Sequence, residues 1–154
     1  AAFVGLVLGG VLGALIGGAT EGNANKLYEF GKNLGIAFQL QDDYLDAYGD
    51  TQKLGKQNGG DIKENKKTYL LLHALNAADK NQRAAIETLL QTESETKVAD
   101  MLALFDATGA ASACRSEVEK YSQRAFDCLE DVAVLSSRKE PLHKLASYLL
   151  QRDK

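Results

Sequence analysis

Gly35-Ile36-Ala37-Phe38-Gln39-Leu40-Gln41-Asp42-Asp43-Tyr44-Leu45-Asp46 is the stretch on which the reading of this chain turns. At about 100° per residue, Leu27, Phe30, Leu34, Ala37, Phe38, Gln41 and Leu45 share one helix face, and Ile36, Leu40 and Tyr44 cover much of the other. A helix that is apolar nearly all round is a buried one. Between these faces runs a narrow strip of Gly35, Gln39, Asp42 and Asp46, with Asp43 at its edge. The i,i+4 spacing sets the Cβ atoms of Asp42 and Asp46 about 5–6 Å apart. Like charges at that spacing repel, and no Lys or Arg stands between Lys32 and Lys53 to neutralise them. Burying unpaired carboxylates is costly. The acids also fall near the helix C-terminus, where the macrodipole disfavours anions. A positive charge has to come from elsewhere, and a hard divalent cation suits these ligands. Magnesium takes oxygen donors and is usually held by one or two carboxylates together with the phosphates of a ligand.

Two competing readings of the same residues fail. An EF-hand loop opening at Asp42 needs Gly where Ala47 stands and Glu where Lys53 stands. A Walker-type phosphate loop needs Ser or Thr after Gly55-Lys56, where Gln57 stands. Residues 49–64 form the one long irregular piece, rich in Gly, Lys, Gln and Asp, and loops of that length in compact domains are commonly functional. It carries Lys56 in a glycine-rich setting and Asp61, and Lys66 is expected to begin the following helix. Lysine binds phosphate as a point charge, and a helix N-terminus adds backbone donors.

Helical periodicity extends over the rest of the chain. It predicts helices near 1–18, 24–48, 66–78, 82–91, 95–107, 111–135 and 141–151, with Asn65 as an N-cap, Gly109 as a stop and Pro141 in the first turn of the last helix. The 154 residues carry a formal charge of −3, 45% apolar and 25% charged residues, the profile of one soluble globular domain. No basic cluster suggests a nucleic-acid partner. Cys114 and Cys128 fall in one predicted helix, roughly 21 Å apart, beyond disulfide reach; a reducing, cytosolic setting fits. His73 and His143 are isolated in sequence, which gives no zinc pattern. Residues 1–19 contain no charge. Their length allows a membrane span, and Gly5, Gly9, Gly13 and Gly17 form a small-residue stripe. No basic residue flanks the run on its N-terminal side, so a buried core helix is the preferred reading. The chain opens on Ala1 without an initiating Met or a cap, and is expected to start inside a helix of a longer protein.

The stretch from Gly35 through Asp50 resembles the second aspartate-rich region of the trans-isoprenyl diphosphate synthases. Leu54-Gly55-Lys56, Gly60-Asp61 and Asn65-Lys66-Lys67-Thr68-Tyr69 follow in that family's order, and Ala146 to Lys154 looks like the ending of its short-chain bacterial members. The resemblance implies an all-α, isoprenoid-synthase-type helical bundle, of which residues 1–154 form the C-terminal portion as a single helical domain. It implies head-to-tail condensation of an allylic diphosphate with isopentenyl diphosphate, giving a short-chain product such as farnesyl diphosphate. On it, Asp42 ligates Mg2+ on the allylic diphosphate, Asp46 assists directly or through water, and Asp43 is a neighbouring acid. Lys56 contacts the same diphosphate, Asp61 and Lys66 belong to the substrate site with Lys66 supporting the acids or loop, and Phe38 and Gln39 lie near the homoallylic substrate and the developing cation. It also implies a cytoplasmic homodimer without stable membrane insertion. The family's first aspartate-rich region is absent from these residues, so the other half is expected to be needed for catalysis, and the acid helix is expected to be uncovered without it. A cyclase or head-to-head synthase with the same metal chemistry, and a non-catalytic partner subunit of the same fold, are the alternatives.

Overall fold

The computed structural model describes residues 10, 12–49 and 59–151. Among them the named helices are α1 (Glu21–Tyr48), α2 (Gly60–Lys63), α3 (Tyr69–Ala77), α4 (Lys80–Gln91), α5 (Lys97–Ala107), α6 (Ala110–Glu130) and α7 (Ser136–Leu150), and no strand is present. The chain divides into two compact units, residues 1–39 with 117–154, and residues 40–116.

In the first unit Phe30 and Leu34 of α1 meet Ala125 and Leu129 of α6 and Ala146 of α7 in one buried cluster, edged by Leu27, Phe126, Leu142 and Leu149. Asn23 Oδ1 accepts from the Ala133 amide at 2.9 Å, and Lys26 pairs with Asp131 at 3.0 Å. The expected helix over 111–135 stops earlier, at Glu130. There the buried Lys139 ammonium donates to the Glu130 carbonyl at 2.7 Å and to its carboxylate at 3.0 Å, satisfying a terminal acceptor that another turn would have used. Pro141 lies inside α7 and not in its first turn. Proline removes a helix donor. Ser137, whose carbonyl thereby loses its partner, is exposed, so water can serve it. Residues 12–16 are helical, and Leu12, Leu15 and Ile16 are exposed there, where the sequence led us to expect a buried wall. Residues 1–9 and 11 of that expected helix lie outside the described residues. No helix among the described residues is long and apolar enough to cross a membrane.

In the second unit α5 packs against α2, α3 and α4. Leu70, Leu71 and Ala74 of α3, Ile86 of α4, and Met101 and Phe105 of α5 are among its buried apolar residues, with Ile62 of α2. Asp79 caps α4, accepting from the amides of Asn81 and Gln82 at 2.8 Å each, while Gln82 Oε1 accepts from the Asp79 amide at 3.0 Å. This reciprocal box explains why α4 begins at Lys80. Gly109, at φ +72°, stops α5 as expected, since a side chain there would be strained. The N-cap of α3 is Thr68, whose hydroxyl accepts from the Leu71 amide at 3.3 Å. Asn65 instead closes α2, at φ +54°. Its amide bonds to the Ile62 carbonyl at 3.1 Å and the Lys66 amide to the Asp61 carbonyl at 2.9 Å, the paired bonds of a Schellman ending.

Candidate active site

That ending decides where the cation goes. Lys66 sits directly after the left-handed Asn65 and is anchored through its amide to Asp61, which holds its side chain beside the Asp61 carboxylate. The Lys66 ammonium lies 2.7 Å from Asp61 Oδ2 and 3.3 Å from Asp43 Oδ1. The hydrogen bond to Asp61, aided by the Asp43 charge and opposed by partial burial, holds the ammonium above the usual lysine range. Its contribution to stability is therefore present through neutral pH and is lost only as the pH climbs past that raised value. The scarcity of counter-charge read from the helix is thus corrected in part: Asp43, only 7% exposed, draws a lysine that lies in the loop before α3 and not in the first turn of that helix.

Asp46 has its own partners. Its Oδ2 accepts from the Asp61 amide at 2.8 Å, and its carbonyl accepts from the Gly59 amide at 2.6 Å. The carboxylate therefore stands at the opening of α2 and fixes the backbone that carries Asp61. Asp42, on the same turn of α1, is exposed. Lys56 lies outside the described residues. Phe38 is half-buried and Gln39 exposed, both on the part of α1 that belongs to the first unit. The second unit thus brings together Asp42, Asp43, Asp46, Asp61 and Lys66.

Tyr48 and Cys114 pack behind these acids. The Tyr48 hydroxyl donates to Asp106 at 2.9 Å, and burial first, then that carboxylate, keep the phenol above its ordinary pKa. Its ring stacks on Tyr44 with centroids 5.0 Å apart. The Cys114 thiol, fully buried, reaches the Leu40 carbonyl at 3.5 Å. Burial, with the Asp43 charge adding to it, pushes its pKa up to about 12. The thiol therefore stays protonated at pH 8, and the protonated form is the unreactive one. In the native full-length protein Cys114 is expected to resist iodoacetamide at that pH and to react once the protein is unfolded, as peptide mass mapping would read. Alkylation of the native protein at Cys114 would show this packing to be wrong. The meeting of Cys114 with Leu40, 74 positions apart, carries no sequence signal, because it arises only through the tertiary fold.

The donors suit magnesium. Every candidate ligand is a carboxylate oxygen, and among the described residues Lys66 is the ammonium that pairs with Asp43 and Asp61. Among the described residues no three His, Cys, Asp or Glu side chains form a ready metal cage. Magnesium is usually held through one or two carboxylates while a ligand's phosphates and water complete its shell. Asp42, which is exposed, is the first candidate, and Asp46 already has Oδ2 engaged by the Asp61 amide.

A sequence profile of the family described as Polyprenyl synthetase matches residues 5–107. The chain is 33% identical over 141 residues to a short chain isoprenyl diphosphate synthase of Methanothermobacter thermautotrophicus, an alignment spanning 92% of this chain and 43% of that protein. In structure it is similar to a decaprenyl diphosphate synthase from Rhodobacter capsulatus, with a TM-score of 0.85 and 28% identity over 97% of this chain and 46% of that one. It is also similar to a geranylgeranyl pyrophosphate synthase from Corynebacterium glutamicum complexed with isoprenyl diphosphate and magnesium, with a TM-score of 0.80 and 32% identity over 92% of this chain and 41% of that one. The chain spans less than half the length of these relatives.

Proposed function

The chain belongs to the polyprenyl synthetase family, and on that premise we propose that the whole protein is a trans-prenyltransferase joining an allylic diphosphate to isopentenyl diphosphate. The allylic C–O bond breaks with its electron pair leaving on diphosphate. The isopentenyl double bond then attacks the allylic cation, and loss of a proton restores a double bond in the lengthened chain. Magnesium, when bound, supplies Lewis-acid stabilisation of the departing diphosphate.

The chain's own residues do the rest. Asp42 offers the exposed carboxylate that holds the cation, and Asp46 assists while fixing Asp61. Lys66 neutralises Asp43 and Asp61, so the patch carries less self-repulsion before any ligand arrives. Lys56 clamps the allylic diphosphate, and Phe38 and Gln39 face the homoallylic substrate and the growing cation. Apolar walls that exclude water protect that cation from capture. The reading extends to a cytoplasmic homodimer and to a short-chain product such as farnesyl diphosphate.

One observation carries this: an exposed Asp42 stands one turn from an Asp46 that is hydrogen-bonded into α2, with Lys66 neutralising the acids behind them. The test is full-length protein supplied with a C5 allylic diphosphate and isopentenyl diphosphate. Condensation is expected to stop on adding excess EDTA and to return with magnesium, and the mass of the product gives its chain length. Consumption of the allylic diphosphate without any need for isopentenyl diphosphate would instead identify a cyclase or head-to-head synthase. No turnover with both substrates present would reject the assignment.

A further inference from the structure

The backbone at Gly59–Asp61 is clamped from two sides. On one side is Asp46: its carbonyl takes the Gly59 amide at 2.6 Å, its Oδ2 takes the Asp61 amide at 2.8 Å, and a Cβ placed on Gly60 would lie 3.3 Å from its Oδ1. On the other side is Val98, in the first turn of α5. A Cβ placed on Gly59 would lie 2.5 Å from Val98 Cγ1 and 2.9 Å from Cγ2, so the valine methyls rest directly on the glycine backbone. Gly59 is also at φ +84°, a conformation that L side chains rarely adopt. Val98 cannot easily swing aside, because its neighbours Lys97 and Met101 are 2% and 1% exposed and hold α5 in its rotation.

We infer that Val98 is a positioning residue for the aspartate-rich site, pressing Gly59 onto Asp46 so that Asp61 and Lys66 meet Asp43 at their observed distances. Shortening Val98 lets the Gly59 backbone recede, which loosens the Asp61 amide from Asp46 and frees that carboxylate to turn. Packed groups transmit such shifts because little void is left to absorb them. The activity consequence rests on the prenyltransferase reading above; the clamp itself does not.

Amide hydrogen exchange on the full-length protein tests the clamp directly. Val98→Ala is expected to speed exchange in residues 59–63 by at least about tenfold, with residues 136–150 unchanged. Val98→Ile, which keeps both branches at Cβ, is expected to restore protection to within about twofold. In the same variants, Val98→Ala is expected to lower kcat by about tenfold and to raise the magnesium concentration for half-maximal turnover, with the isopentenyl diphosphate KM unchanged, since small misplacement of positioned groups costs rate steeply. Wild-type exchange in residues 59–63 of Val98→Ala would overturn the inference. A rise spread over every segment would assign Val98 to packing alone and overturn it equally. Turnover that ignores Val98 while exchange rises would also overturn its role toward the site. If the wild-type protein condenses nothing, the prenyltransferase reading falls, and the exchange measurement still decides the clamp.

Discussion

Asp42→Ala in the full-length protein is expected to lower magnesium-dependent condensation at least about a hundredfold, the scale of losing one positioned electrostatic group. The three neighbouring acids do not make equivalent tests. Asp43 is buried and paired with Lys66, so its removal alters charge and packing together. Asp46 holds the Asp61 amide, so its removal disturbs the backbone of α2 as well as any metal contact. Asp42 is exposed, and truncating an exposed side chain generally costs less stability than truncating a buried one. A loss of turnover far larger than the accompanying shift in thermal midpoint therefore separates the electrostatic role from packing. The loss should fall on kcat and on kcat/KM alike, because charge on the departing diphosphate develops only as its bond breaks. Turnover close to wild type would move the metal away from Asp42 and take the central premise of the site with it.

The long helix is legible because its apolar residues recur at helical spacing over seven turns, and the structure places α1 at Glu21–Tyr48 against an expectation of 24–48. Its start escapes the periodicity where Gly22 weakens the local helix signal. The short α2 is invisible: four residues opening on glycine carry no periodicity, and the segment reads as loop. Asn65 and Lys66 show the physical limit more clearly. An Asn before a helical run looks like an N-cap, but the same residue also tolerates the left-handed region, and only the backbone path shows which property is used. Along the acid helix no counter-charge stands between Lys32 and Lys53, whereas the lysine that answers Asp43 returns from twenty-three positions downstream. Residue type and spacing thus expose the acids and the order of the motif. The ion pairs and the Val98 contact depend on chain reversal, which periodicity does not encode.

Phe105→Ala is expected to cost about 3–5 kcal/mol of stability, the range for truncating a fully buried phenylalanine. Phe105 is 2% exposed and borders a small cavity of about 10 Å³ lined also by Leu71, Leu90, Met101, Asn65 and Lys66. That space is at the lower limit for a single water, so the native core is already close to filled and truncation opens a new void beside an existing one. The cost of such a void depends on how far its walls collapse. Here collapse is resisted at several points: α3 is capped by Thr68, α4 by the Asp79–Gln82 box, and Asn65 Nδ2 donates to the Leu90 carbonyl at 3.1 Å. The loss is therefore placed in the upper half of that range. Urea unfolding followed by circular dichroism should show a lower midpoint with an unchanged slope. The contrast with Val98, seven residues earlier on α5, is informative: Val98→Ala loosens residues 59–63 alone, whereas Phe105→Ala weakens the whole second unit. A Phe105→Ala midpoint near wild type would mean that α5 does not hold this core, and Lys97 and Met101 would then give Val98 no rigid base from which to press on Gly59.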